Sequence, residues 1–194
     1  MEREVLLTGI GGQGVQLAAK TLATAAVIDG RSAMTFGIYT GAMRGERTEA
    51  TVVIGSDALT CPPTVSSAWC AIGLNHMYWP DTAAKLRSEG LAIIDADVFR
   101  GDPGCDAVRV NAKTIAKSAD APRAAAMVVL GALAAATEVV TLDALCEAAG
   151  SLLPVYRREH AAANIRAIEA GFADVSGLVR SAWAETPVRE GTTR

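Results

Sequence analysis

The chain has 194 residues, 51% of them hydrophobic, and a formal net charge of -3. That supports one sizeable α/β core and is short for two domains, so a single domain over 1–184 is expected, followed by a polar tail at 185–194. Scattered Lys and Arg exclude a nucleic-acid footprint, the apolar run Ala124 to Ala136 falls short of a bilayer span, and Met1-Glu2-Arg3-Glu4 lacks a secretory pattern, so a cytoplasmic protein without a membrane span is expected.

The run Val5-Leu6-Leu7 predicts a first strand, and it leads directly into Gly9-Ile10-Gly11-Gly12-Gln13-Gly14. Glycines at 9, 11 and 14 fit G-x-G-x-x-G, in which missing side chains allow a tight turn, close approach of backbone to a phosphate, and close contact of helix with strand. Val15, Ala18, Ala19, Leu22, Ala25 and Ala26 then recur with helical spacing up to Asp29-Gly30, while Gln16, Lys20 and Thr24 share the opposite, solvent-facing side. The free N–H groups and positive dipole end at the start of this helix favour a phosphate or carboxylate. A tight turn without a ligand is the alternative reading.

Further along, Ala33 to Ile38 predicts a short strand, Tyr39 to Arg47 a polar segment broken by glycine, and Thr48 to Ile54 a strand with alternating pattern. Cys61-Pro62-Pro63 breaks the pattern, and Ala68 to Leu74 reads as a buried strand. Asn75 to Pro80 is expected to be a loop, Asp81 to Ser88 a short helix, Leu91 to Asp95 a strand introduced by Gly90, and Ala107 to Val110 a weaker strand. Helices are expected at Ala112 to Lys117, from Pro122 to about Thr137 with Asp120 as cap, at Leu142 to Ala149 capped by Thr141, and at Val155 to Ala170 closed by Gly171.

Strands alternating with helices predict a Rossmann-like, doubly wound, mostly parallel sheet with a helical C-terminal part, and ligands in such sheets lie beyond the carboxyl ends of the strands. Three loops should converge there: Gly9 to Gly14, Tyr39 to Arg47 and Asn75 to Pro80. Cys61, Cys70, Cys105 and Cys146 are widely spaced with no C-x-x-C pair, which points to small buried hydrophobes rather than an iron–sulfur cluster or zinc site in this chain. A dinucleotide site also needs an acid at the end of the second strand, about 20 residues beyond the glycines. That strand ends in Phe36-Gly37-Ile38-Tyr39, which argues against a stand-alone NAD-binding dehydrogenase.

The opening Gly9-Ile10-Gly11-Gly12-Gln13-Gly14-Val15, followed by Met43-Arg44-Gly45, resembles the gamma subunit of the 2-oxoacid:acceptor oxidoreductases, the pyruvate:ferredoxin and indolepyruvate oxidoreductase group. The Leu91 to Asp95 strand, the Met127 to Leu133 helix and Asn164 in the helix closed by Gly171 are similar to that family as well. The loop departs from the family pattern: Gly41-Ala42-Met43 precede Arg44, and Glu46 rather than a second glycine follows Gly45. The resemblance implies a multi-subunit enzyme that oxidatively decarboxylates a 2-oxoacid, such as pyruvate, indolepyruvate or an aryl glyoxylate, to the acyl-CoA. It places thiamine diphosphate with Mg on alpha and beta subunits and iron–sulfur clusters on other chains, including a ferredoxin-like subunit. For this chain it implies association with CoA and no catalytic residue of its own.

Gly9, Gly11, Gly12, Gln13, Gly14 and Arg44 are therefore the expected anion contacts. Arg44 could equally pair with Glu46, Glu49 or a partner subunit, and the Gln13 amide could bond a neighbouring loop. His76 and His160 read as packing or interface residues, and Tyr78 and Trp79 as exposed interface anchors. A purely structural scaffold, whose glycine turn meets only a neighbouring subunit, is the remaining alternative.

Overall fold

The computed structural model describes residues 1–39, 45–60, 62–153 and 158–183. Arg44, Cys61, the expected helix start at Val155 and the 185–194 tail lie outside the described residues, as do the side chains of Tyr39, Arg158 and Glu159. The elements run β1 (Glu2–Ile10), α1 (Val15–Ile28), β2 (Ser32–Tyr39), β3 (Arg47–Gly55), β4 (Ala68–Gly73), α2 (Trp79–Ala83), β5 (Leu86–Asp95), β6 (Asp106–Val110), α3 (Ala112–Ser118), α4 (Ala125–Thr137), α5 (Leu142–Ser151) and α6 (Arg158–Asp174).

Six strands form one mixed sheet in the order β2-β3-β1-β4-β5-β6. The joins of β1 with β4, β4 with β5 and β5 with β6 are parallel, as expected. The joins of β3 with β1 and with β2 are antiparallel. The cause is local: a parallel crossover takes a dozen or more residues, and segment 40–46 is too short for one, so β3 must run back along β2. Strand β3 thereby occupies the place beside β1 that β2 holds in a dinucleotide-binding sheet. Its carboxyl end lies at the opposite edge from the glycine turn, with Gly55 beside Glu2 and Arg47 beside Ile10.

Val5, Leu7, Val52, Ile54, Cys70, Ile72, Leu91 and Ile93 turn one sheet face toward α1, α3, α4, α5 and α6. Helix α4 is buried on every side because it lies between the sheet and α6, which explains its unbroken run of small and apolar residues. The other face carries a smaller cluster of Leu6, Ala71, Ala92, Ile94, Trp79 and Phe99.

Four local expectations are corrected. The helix expected at Asp81 to Ser88 ends at Ala83, because Leu86 already pairs with Ala68 and β5 begins there. Helix α4 starts at Ala125 rather than Pro122: Asp120 (φ 54) terminates α3 in a left-handed turn, with the Ala121 N–H donating to the Ala116 carbonyl and the Asp120 N–H to that of Lys117. Gly171 lies inside α6 and does not close it. Its missing side chain lets α6 touch α4, since a Cβ there would overlap the Val128 carbonyl. Gln16 is half-buried and donates to the Glu49 carbonyl at 2.7 Å, so that end of the supposed solvent face of α1 is tied to β3. The Thr141 cap is as expected, its hydroxyl accepting from the Ala144 N–H.

Candidate functional site

Strand β1 delivers the chain into a turn that only glycine can make at two points, Gly12 (φ 97) and Gly14 (φ 83). Gly14 is also the N-cap of α1, so no side chain caps the helix and its first turn carries no acid. The uncapped N–H groups retain their capacity to bind an anion. Gly9 is needed for packing: a Cβ there would stand 2.7 Å from the Gln13 Oε1 and 3.0 Å from Val15.

Gln13 is the clasp of this turn. Its Oε1 accepts from the Ile10 N–H at 2.8 Å and its Nε2 donates to the Leu74 carbonyl at 2.8 Å, so of the two readings open for this amide the structure has the bond to a neighbouring loop. The Gly11 N–H donates to the Glu46 carbonyl at 2.8 Å. Arg47 then reaches across, donating to Glu49 and Asp81 at 2.5 Å each and lying over the Tyr78 ring at 5.8 Å. The glycine turn, the Asn75 to Pro80 loop and the described end of the Tyr39 to Arg47 segment therefore converge at the carboxyl ends of β1 and β4. Trp79 differs from expectation: it is 4% exposed, its indole N–H donates to the Pro103 carbonyl at 2.9 Å, and its ring meets Phe99 edge-on. It anchors the smaller core and has no surface to offer a partner.

Beside the turn opens a cleft of about 540 Å³, bounded by Ile10, Gly12, Gln13 and Leu74 on one side and by Asp95, Lys113, Lys117 and Arg123 on the other. No carboxylate lies within 4 Å of these three cations among the described residues. Asp95 ends β5 and is 1% exposed. Burial pushes its carboxyl above the ordinary carboxylate range, opposed by hydrogen bonds from the Asp97 and Ala112 backbone and by the charge of Lys113. Among the residues lining the cleft, Lys113, Lys117 and Arg123 outnumber the single acid Asp95, and the cleft suits an anion.

Lys113, Lys117, Arg123 and Asp95 were not legible as site residues from the sequence. The available signal was the end of a parallel strand at Asp95 followed by two lysines spaced i, i+4 on the next helix. Arg44 lies outside the described residues. His76 bonds the Val98 carbonyl at 3.1 Å and His160 borders a different cavity, so neither histidine joins the cleft. Cys70 is fully buried with its thiol pushed up to about 12 by desolvation, while Cys105 and Cys146 are half-buried. Among the described residues no group of three or more His, Cys, Asp or Glu could hold a metal ion, and no helix is long and apolar enough to cross a membrane.

Comparison with known proteins agrees with this architecture. The family model described as pyruvate ferredoxin/flavodoxin oxidoreductase matches residues 4–173. A 2-oxoglutarate synthase subunit KorC of Methanothermobacter marburgensis is 31% identical over 181 residues, covering 88% of this chain and 95% of that one. Among solved structures, the gamma subunit of a keto/oxoacid ferredoxin oxidoreductase from Geobacter sulfurreducens superposes with a TM-score of 0.75 at 28% identity, over 89% of this chain and 95% of that chain. A 2-oxoglutarate:ferredoxin oxidoreductase from Magnetococcus marinus, solved with 2-oxoglutarate, coenzyme A and succinyl-CoA bound, shares the fold with a TM-score of 0.78 at 20% identity, over 91% of this chain and 32% of that one. With β3 inserted between β1 and β2, the strand geometry of a stand-alone NAD dehydrogenase is missing as well. The chain belongs to the pyruvate ferredoxin/flavodoxin oxidoreductase family, as a gamma-type subunit of the 2-oxoacid oxidoreductases.

Proposed function

We propose that this subunit supplies the anion-binding wall for CoA in a thiamine diphosphate-dependent 2-oxoacid:ferredoxin oxidoreductase. The observation that carries the reading is the pairing of an uncapped helix N-terminus at Gly14 with Lys113, Lys117 and Arg123 around one cleft. Amides of the turn and forked or ammonium donors across it suit a phosphate chain, which needs several donors from different directions. The residues therefore fit the phosphates of CoA. Lys113 and Lys117 would take the more exposed oxygens, and Gly12 and Gly14 would let the backbone approach closely. Arg44 is included in this proposal through its place in the polar loop.

When bound, CoA supplies the thiol that accepts the acyl group. This chain's own residues bind and orient it, and none of the described side chains in the cleft is arranged as a general base. Thiamine diphosphate, Mg and the iron–sulfur clusters belong in this reading to alpha, beta and ferredoxin-like partners. The protein would work in the cytoplasm, with 1–184 as its single domain.

Steady-state kinetics of the assembled enzyme tests the assignment. Lys113→Glu with Lys117→Glu should raise the KM for CoA at least tenfold and leave the KM for the 2-oxoacid unchanged. An unchanged KM for CoA would identify the subunit as a scaffold whose glycine turn meets only protein.

A further inference from the structure

The two edges of the sheet are built differently. Strand β6, at one edge, has five residues and carries Asp106 and Arg109, the short, charged form that keeps an edge from pairing with other chains. Strand β2, at the other, has eight residues with no charge and no proline among them, and its register with β3 runs unbroken. An edge strand presents a row of unpaired N–H and C=O groups, and nothing in the sequence of β2 bars a further strand from joining it.

The side chains flanking that edge are apolar on both faces of the sheet. A Cβ at Gly37 would overlap the Gln16 side chain, so Ala33, Thr35 and Gly37 face α1, and by alternation Met34, Phe36 and Ile38 face the other way. On that second face Pro63 lies over β3, its carbonyl accepting from the Thr51 hydroxyl, but Phe36 remains 43% and Ile38 38% exposed. On the helix side Val27 is 58% exposed, on the line of α1 that begins at Gln16. An unguarded edge with an apolar border on each side is the form of an edge that another strand covers.

The pattern along β2 selects a second copy of this chain as the occupant. Run antiparallel to itself about Phe36, the strand sets Met34 opposite Ile38 of the second copy, Phe36 opposite its own counterpart, and Thr35 opposite Gly37. Large apolar residues then meet on one face and small ones on the other, and no like charges come opposite each other. Such a self-matching patch is what a twofold interface requires. We propose that β2 is a self-association edge, through which two copies of this chain pair antiparallel about a twofold axis at Phe36 and continue one sheet across both.

Sedimentation of the full chain tests the edge and should show a reversible monomer–dimer equilibrium with a Kd on the order of 10 μM, because one strand pair lies at the low end of interface size. Hydrogen exchange at the β2 amides should slow as the protein concentration is raised through that Kd, while exchange at β6 stays constant. Phe36→Lys, which sets like charges on the axis, should weaken the dimer about tenfold or more. Leu178→Lys, at an exposed apolar position beyond the end of α4, should leave it unchanged. A monomer at every concentration, a dimer whose β2 exchange ignores concentration, or native affinity in Phe36→Lys overturns the proposal. Protection of β2 only in the assembled enzyme, with the isolated chain monomeric, also overturns it and gives the edge to another subunit.

Discussion

The side-chain amide of Gln13 joins two strand ends, accepting from Ile10 at the end of β1 and donating to the carbonyl of Leu74 just beyond β4, both at 2.8 Å. One side chain thus ties neighbouring parallel strands together through two hydrogen bonds at the edge where the candidate cleft opens. Gln13→Ala leaves a half-buried N–H and a buried carbonyl without partners, and should destabilise the chain by about 1–3 kcal/mol. Gln13→Glu keeps the acceptor for Ile10 but sets a carboxylate oxygen against the Leu74 carbonyl, so its loss should be at least as large. Urea unfolding gives the stabilities, and hydrogen exchange at the Ile10 amide should accelerate in the alanine variant only.

Two glycines set the approach of α4 and α6. A Cβ at Gly131 would overlap the Ile168 carbonyl and stand 2.8 Å from the Phe172 nitrogen, while one at Gly171 would overlap the Val128 carbonyl and stand 2.8 Å from the Val128 Cα. In an exposed helix interior, Gly→Ala stabilises by about 0.5–1 kcal/mol. Here the sign should reverse: Gly171→Ala must push two buried helices apart and should cost about 1–3 kcal/mol. A thermal midpoint equal to or above that of the native chain would disprove the packing role.

How far the fold could be read from the sequence follows from which signals are local. Val5 to Leu7, the glycine turn and the apolar stripe of α1 lie next to one another, so β1, the turn and α1 were legible together. The Gly30 C-terminus was legible for the same reason, since a left-handed glycine (φ 76) directly follows the stripe. The insertion of β3 beside β1 depends on pairing between residues far apart, such as Val5 with Val52, and no local pattern announces it. Asp120 shows how one residue type supports two readings. Asp120 two residues ahead of Pro122 resembles the cap of a helix start, but the left-handed turn that closes α3 uses the same residue. The cations of the cleft stand on α3 and the following turn, and only the sheet order brings them opposite Gly12.

Cys70 makes alkaline stability a measure of its burial. Its thiol is fully buried, and desolvation lifts its folded-state value from 9.0 to about 12. The folded protein therefore holds this proton more tightly than the unfolded chain. The associated stability is complete below pH 9, where the thiol is neutral in both states, and is lost as pH rises from 9 toward about 12. Cys70→Ala should unfold less steeply over that interval than the native chain. Parallel curves for the two proteins in urea titrations at pH 8 to 11 would contradict the assignment. At pH 8, Cys70 should also resist thiol reagents in the folded state, while half-buried Cys105 and Cys146 react first.

Asp97 offers a test of how the cleft is held rather than of what it binds. Asn111, the N-cap of α3, makes no side-chain cap bond. Asp97 serves instead from the β5–β6 connection, accepting from the Thr114 N–H at 2.7 Å and the Thr114 hydroxyl at 3.0 Å. An acid at a helix start satisfies an orphan donor and complements the helix dipole, each effect being worth up to about 1 kcal/mol. Asp97 is thus a positioning residue for the helix that carries Lys113 and Lys117. Asp97→Ala should lower stability by about 1 kcal/mol and raise the KM for CoA severalfold with kcat unchanged, because the lysines remain but their helix start loosens. Asp97→Asn, which can still accept from Thr114, should restore most of the affinity. If the alanine variant loses stability but keeps its KM for CoA, the orientation of α3 does not matter to the cleft, and the lysines are not held for a ligand.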